Sequence, residues 1–570
     1  MSSIPSSQLL TLSQNPTFVN NILKAPEVLQ EKFVQKIISI DETEAVVNVP
    51  NELATYIPRV LLASLNTVKI SVVNQKNWNQ GQAVVLFGPV ASATSNLILQ
   101  GFTSTSAQAL PVQKVIQLVH ACRLRPGRSK VPLQESQLTS MYTYVKNDTS
   151  LTFSDVPPDM LLYYDYEMVQ KVNCSLYFSA LGRADFSVSS SFLNRQKILF
   201  NNAQTCLGIS GFNLNKTQVA ILGNMTCTLN SSYIQNSDPL IIEKLKNCGD
   251  LTDFQVSGIQ TLLFSGNTNY GNLSTWNLQT LQQLGPLPLY LNQDFWNKFN
   301  FTEKKIFLPS FMSALRAKNT PVTKLQSLFT ASKQNFRRRR DTGCTAGYIT
   351  DTTIADQSFI LNYTSTQFDL CLNITVLINN LAAITQIVLD PSMEMVILNK
   401  LNQVYLSGLG DSVLQLLGPT SRVANVSEIK SWNITSLDTL ASLMNPVNGA
   451  WTSDQSNAVI MNYLRVPGHT LGLAEINAIM SDICSLNTSA LNNITAENLR
   501  YANPIDLSNC TIDQKTALYN IANISFSSLH SNATEFFLLI RSFLGKHTYI
   551  HKFLYTAILT HSNKTSIRPA

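Results

Sequence analysis

Apolar residues in this chain recur at helical spacing, but in runs too short to bury a face on their own. Asp390 is a fitting N-cap, and Pro391 suits the first helical position. Met393, Ile397, Leu401 and Val404 then follow at intervals of three and four, and Gly408 is the stop. A second start falls at Thr435 with Asp438 three residues on. Leu437, Leu440, Ala441 and Met444 form its stripe. Glu535 to Leu544 reads as another short helix, ended by Gly545. Strand-like alternation is sparse. Brief helices of this kind must lean on their neighbours. The expected fold is therefore all-α: a right-handed superhelical solenoid of short helical repeats, armadillo-like and stapled by disulfides.

A degenerate repeat supports stacking. Trp78-Asn79, Trp276-Asn277 and Trp432-Asn433 return, with Gly-Pro steps at Gly88-Pro89, Gly285-Pro286 and Gly418-Pro419. The Trp side chains are read as packing between repeats rather than as ligand contacts.

Charged residues make up only 13% of the 570, so Asn, Gln, Ser and Thr must cover the surface. The net charge of +6 includes four consecutive arginines, and the balance elsewhere is near neutral. That excludes a nucleic-acid footprint. The nine cysteines, Cys122, Cys174, Cys206, Cys227, Cys248, Cys344, Cys371, Cys484 and Cys510, form no C-x-x-C pair. Their wide spacing suits disulfides in an oxidising compartment and not a zinc site. Seventeen N-x-S/T sequons point to the same compartment. They include Asn362, Asn373, Asn425, Asn433, Asn487, Asn523 and Asn532.

H-E-x-x-H, G-x-S-x-G and the phosphate-loop pattern are absent. Neither an enzyme nor a cofactor nor a metal is expected. Met1-Ser2-Ser3-Ile4-Pro5 shows no signal peptide, no run of about 18 apolar residues occurs, and Arg568-Pro569-Ala570 ends no lipid-anchor signal. Cysteines and sequons favour an incomplete sequence of a secreted or cell-surface protein.

The main punctuation is Arg337-Arg338-Arg339-Arg340 between polar Ala331–Asn335 and Thr342-Gly343. Four arginines in a linker fit the acidic cleft of a furin-type protease, with cleavage after Arg340. The expected divisions are N-terminal helical repeats (1–150), a precursor region (151–336), the cleavage linker (337–340), a mature domain (341–545) and a divergent tail (546–570).

The piece beginning Asp341-Thr342-Gly343-Cys344 resembles the mature domain of the mesothelin family. The stretch Ile429-Lys430-Ser431-Trp432-Asn433-Ile434-Thr435-Ser436-Leu437-Asp438-Thr439-Leu440 is similar to that family's I-x-K-W-N-V-T-S-L-E-T-L. Cys484-Ser485-Leu486, Asp506-Leu507 to Cys510, and Ile540-Arg541-Ser542-Phe543-Leu544-Gly545 carry the likeness further. Upstream, Thr205-Cys206-Leu207-Gly208-Ile209 and Trp276 to Tyr290 resemble the family's precursor region and the related stereocilin and otoancorin group. Beyond Gly545 the sequence departs from the family.

The resemblance implies disulfides Cys344–Cys371 and Cys484–Cys510, each contributing about 3–4 kcal/mol in the loop-entropy view. It also implies adhesion through a mucin-like glycoprotein, or through extracellular matrix, and a lipid anchor in full-length relatives. The partner's aromatic contact would be Tyr363, with Phe359 and Phe368 beside it. Phe359, Ile360 and Tyr363 also stand at helical spacing, which is the pattern of a core. Asn362 begins a sequon that includes Tyr363. Two alternatives are a secreted cytokine-like factor released from the N-terminal part and a structural component of an extracellular gel.

Overall fold

Asparagine and threonine side chains start many of the described helices, and one arrangement of caps recurs along the chain. The computed structural model describes residues 5–63, 70–73, 75–87, 152–169, 171–188, 195–333, 343–356 and 358–531. It also describes positions 119, 138, 141–143, 145–146, 536, 539–540 and 543. Among these residues the secondary structure is helical throughout, and the one bridge outside it joins Gly410 to Asn433. The longest described helix, Phe301–Ala317, has 17 residues, and many have eight or fewer. Helices this short are unstable alone and depend on packing.

The recurring module opens with a six-residue 3-10 turn: Asn51–Tyr56, Gly223–Thr228, Gly418–Val423 and Met480–Ser485. Seven residues after the start of the last three turns stands an asparagine, Asn230, Asn425 or Asn487, capping a short helix through Oδ1. In the first copy Pro58 takes that place before Arg59–Ala63. A longer helix follows: Gln80–Phe87, Asp253–Phe264, Ser453–Leu464 or Ile512–Ser525. Its third residue is a glutamine that exchanges hydrogen bonds with the cap, Asn79, Thr252, Thr452 or Thr511.

The same glutamine then reaches back to its module's opening turn. Gln255 Nε2 donates to Cys227 O at 2.8 Å and Leu229 O at 3.0 Å. Gln455 Nε2 donates to Arg422 O at 3.3 Å and Ala424 O at 2.8 Å. Gln514 Nε2 donates to Cys484 O at 2.9 Å and Leu486 O at 2.7 Å. Gln82 Nε2 makes the equivalent bonds to Thr55 O and Ile57 O, at 3.1 and 2.7 Å. One side chain thus closes a helix start and satisfies turn carbonyls that would otherwise lie unpaired in a packed interior.

Two compact units divide the chain. The first combines Met1–Thr105 with Tyr405–Pro446 and Ala450–Ala570, and the second runs over Ser106–Val404 with Val447–Gly449. Within the second, Cys174–Leu181 packs on Lys216–Leu222, which packs on Leu240–Leu245. Within the first, Leu437–Met444 packs on Leu473–Ile479, which packs on Ala496–Tyr501. Each of these contacts skips the intervening helix, as stacking in a helical repeat array requires. The repeated tryptophans are buried: Trp78, Trp276 and Trp432 are 4%, 6% and 3% exposed. Trp276 stacks on Phe299, with ring centres 5.7 Å apart.

Disulfides join Cys174 to Cys206, Cys227 to Cys248, Cys344 to Cys371 and Cys484 to Cys510. Cys122 lies outside the described residues. Cys484 and Arg422 hold the same place in their modules, and Cys510 and Trp451 both precede the capping threonine. Where one module has a disulfide, the other has the Arg422 guanidinium 4.0 Å from the Trp451 ring centre. A cation–π contact fills the position of a covalent staple.

The helix Pro391–Val404 begins as the sequence suggests, with Asp390 Oδ1 accepting from Ser392 N at 2.9 Å. Met393, Ile397 and Leu401 are buried, whereas Val404 is exposed. The second start is shifted by one: Ser436, not Thr435, caps Leu437–Met444. The Asp411 carboxylate captures the Thr435 backbone N–H and hydroxyl, so Thr435 caps nothing. Of the expected helix 535–544, only Phe536, Leu539, Ile540 and Phe543 are described, and all four are buried. Gly88-Pro89 lies outside the described residues. The other two Gly-Pro steps mark turns in which Gly285 and Gly418 have φ of 61° and 50°.

Met480 occupies the place of Gly223 and Gly418 with φ 46°, a conformation costly for a residue with a Cβ. It is also 47% exposed, so little packing opposes its removal. Met480→Gly is therefore expected to raise the free energy of unfolding by about 1 kcal/mol in denaturant titration. A destabilised variant contradicts the strain argument. Glu394, fully buried, faces Gln326 Nε2 at 3.5 Å. Burial, helped by the Asp390 charge and opposed by Gln326, pushes its carboxyl up to about 7. A raised folded value means the protonated form stabilises. That contribution is full below 4.5 and is lost as pH rises through 7. Glu394→Gln should flatten the pH dependence of unfolding between these values and raise stability at pH 8. An unaltered profile contradicts the assignment.

Candidate processing and partner-binding site

The arginine linker runs between two anchored ends. On the upstream side Val322–Ser332 is a helix burying Leu325, Leu328 and Phe329. Its last carbonyl, on Ser332, accepts from the buried Lys304 Nζ at 3.2 Å. Lys333 Nζ then pairs with Asp390 at 2.7 Å. Burial works to raise the Asp390 carboxyl, but hydrogen bonds from Lys333 and Ser392 and the Lys333 charge hold it below its ordinary value. Arg337, Arg338, Arg339 and Arg340, the expected cleavage motif, lie outside the described residues.

On the downstream side Gln367 clamps the returning chain. Its Oε1 accepts from Thr345 N at 2.7 Å and Ala346 N at 3.0 Å, and its Nε2 donates to Gly343 O at 3.0 Å. The Cys344–Cys371 disulfide lies alongside, and Ile349 N donates to Cys371 O at 3.1 Å. Tyr363 Oη donates to Gly347 O at 2.8 Å. Four separate ties therefore hold residues 343–349 against the helix Ser365–Cys371 and the turn before it.

These ties correct the expected partner contacts. Tyr363, Phe359 and Phe368 are 3%, 1% and 0% exposed. Phe359 and Tyr363 pack edge to face at 6.2 Å, and the Tyr363 hydroxyl is spent on the backbone. Their helical spacing marked a core. The aromatic that this segment presents to solvent is Tyr348, at 74% exposure. No periodic pattern singles out Tyr348. It projects because Gly347, at φ 98°, turns the chain between two anchored points.

The sequons fall into distinct environments. Asn373, Asn425 and Asn487 are exposed N-caps whose Oδ1 accepts backbone N–H groups. Upstream, Asn215, Asn230, Asn272 and Asn300 do the same. Asn362 ends a 3-10 turn and is half-buried. Asn433 is exposed, but its Nδ2 donates to Ser407 O at 3.1 Å. Asn523 lies inside Ile512–Ser525, and the hydroxyl of its sequon, on Ser525, is buried and bonded to Ala496 O at 2.7 Å. Asn532 lies outside the described residues.

One cavity of about 30 Å³, lined by Leu308, Met312, Arg316, Phe329, Ile360 and Leu361 among others, is roughly the size of one water. A second depression, of about 270 Å³, is lined by Gln196, Lys197, Phe200, Asn230 and Tyr233 among others. Neither joins a nucleophile to a base. Among the described residues no group of His, Cys, Asp and Glu is placed to hold a metal, and no helix is long and apolar enough to cross a membrane.

The family described as Mesothelin matches residues 54–553. A mouse mesothelin-like protein is 29% identical over 457 residues, covering 79% of this chain and 66% of the relative. A human mesothelin-like protein is 28% identical over 477 residues, covering 80% and 64%. Rat mesothelin is 25% identical over 463 residues, covering 80% and 71%. The chain thus spans just under two thirds of the mesothelin-like relatives it matches. With a match that runs from the first repeats through both anchored ends of the linker and past the last described helix, this chain belongs to the mesothelin family.

Proposed function

We propose that this chain is an extracellular or cell-surface glycoprotein that acts without catalysis, as a scaffold for cell adhesion. Its partner is a mucin-like glycoprotein or a component of the extracellular matrix. It is made as a precursor cut after Arg340 by a furin-type protease, and a lipid anchor is what the family resemblance implies for full-length relatives.

The placement of the sequons is the observation that carries this reading. Seven exposed asparagines that begin sequons are also helix N-caps. The cap uses Oδ1, whereas an N-linked glycan attaches to Nδ2. Sugar can therefore be added at these helix starts while the capping bond is kept. Four disulfides fit the same oxidising compartment. Family membership supports a cell-surface or extracellular location. For recognition, the ordered segment after the linker displays Tyr348 on a rigid base, an arrangement suited to an aromatic anchor.

Two variants separate sugar from cap at one site when the chain is secreted from mammalian cells behind an added leader. Asn425→Gln and Ser427→Ala should each remove one glycan from the intact mass. After enzymatic deglycosylation, only Asn425→Gln should be less stable, by about 1 kcal/mol. An unchanged mass in both variants means that Asn425 carries no sugar and contradicts the reading there. Partner binding is tested with an O-glycosylated mucin fragment on a biosensor. Tyr348→Ala should weaken binding at least tenfold with an unchanged melting temperature, and Tyr363→Ala should lower the melting temperature. Wild-type affinity in Tyr348→Ala rules out that residue as the anchor.

A further inference from the structure

We propose that the depression of about 270 Å³ seats this chain's own sugar, the first N-acetylglucosamine of a glycan on Asn230. This rests on the glycosylation of capping asparagines proposed above and names where one of those glycans lies. Asn230, Asn425 and Asn487 hold one place in three modules, and all three begin sequons. The residue three positions on differs. It is Glu428 after Asn425, where it closes a capping box, and Ala490 after Asn487. After Asn230 it is Tyr233, which is 8% exposed. Two more rings gather on Tyr233: Phe200 packs edge to face at 5.1 Å and Phe212 at 5.0 Å.

One helix supplies the aromatic wall. Lys197, Phe200 and Gln204 follow at intervals of three and four along Arg195–Leu207 and so share a face. The Cys174–Cys206 disulfide fixes the end of that helix. Gln204 Nε2 donates to Tyr233 Oη at 2.8 Å, which holds the tyrosine ring in place. Phe200 is left half-buried in the lining of the depression. Asn230 lines the same depression, with Thr228 and Leu229. Its Oδ1 accepts from Tyr233 N at 3.2 Å, so Nδ2 is the atom left to carry sugar.

The chemistry of the lining suits a pyranose. One face of the sugar ring presents polarised C–H groups, and the face of an aromatic ring is electron-rich. Phe200 offers such a ring. Lys197, exposed in the same lining, offers a donor to the N-acetyl carbonyl. The volume falls below the roughly 300–1,000 Å³ of a drug-sized site and is on the scale of one sugar residue. A sugar bonded to a residue of the lining is held there at high effective concentration, so a weak stacking contact is enough to seat it.

The test follows single glycans on the full chain, secreted from mammalian cells behind an added leader. The native protein is treated with a peptide N-glycosidase, and release at each asparagine is timed by mass spectrometry. The enzyme reaches the linkage only when the sugar leaves its seat, so the rate follows the unseated population. In the wild-type chain, release at Asn230 should lag release at Asn425. Phe200→Leu keeps apolar bulk against Tyr233 and loses the ring face. It should speed release at Asn230 about fivefold and leave Asn425 unchanged. Ser232→Ala removes the glycan and spares the cap. It should lower the melting temperature by about 2 °C in the wild-type background and leave that of Phe200→Leu unmoved. An Asn230 without sugar sinks its glycosylation and the seat together. A glycosylated Asn230 released as fast as Asn425, or equally fast in wild type and Phe200→Leu, overturns the seat alone.

Discussion

The glutamine that closes a helix start and reaches back to two turn carbonyls is the interaction on which the described fold most depends. A stack of short helices creates many helix ends, and each end leaves backbone groups without intrahelical partners. Packing drives these ends inward, away from water. Gln82, Gln255, Gln455 and Gln514 answer both problems with one side chain. Gln82 and Gln255 are themselves buried, which raises the cost of losing any of their bonds. The low charge content of the chain fits this solution, because neutral amides can be buried without the desolvation penalty of an ion.

How far the fold is legible in the sequence depends on whether the deciding contact is local. Asp390-Pro391 announces a helix start because both effects act within three residues. Thr435 misleads because Asp411, 24 residues away in the chain, competes for its donors. Tryptophan burial is readable from type and spacing, yet the equivalence of Arg422–Trp451 with Cys484–Cys510 is not. A cation–π pair and a disulfide share no sequence pattern, and only superposed turns align them.

The candidate site divides in the same way. The arginine run is visible by composition alone. Tyr363 is misplaced by analogy, because an aromatic on a short helical turn looks the same whether it faces a partner or the Gly347 carbonyl. Tyr348 gives no signal, since its exposure comes from the Gln367 clamp and the disulfide on either side of a glycine turn. The sequons are legible as a set, but their sorting needs the caps. A surface of sequon-bearing helix starts on a disulfide-braced stack joins fold to proposed role: rigidity comes from beneath and recognition is left to exposed groups.

Equilibrium unfolding of Gln455→Leu and Gln514→Leu, each compared with the wild-type chain, tests the central interaction most directly. Each variant keeps its side-chain bulk and loses two donated bonds to turn carbonyls, so a loss of about 1–3 kcal/mol per site is predicted. Wild-type stability in both would contradict the dependence of the stack on its glutamine bridges.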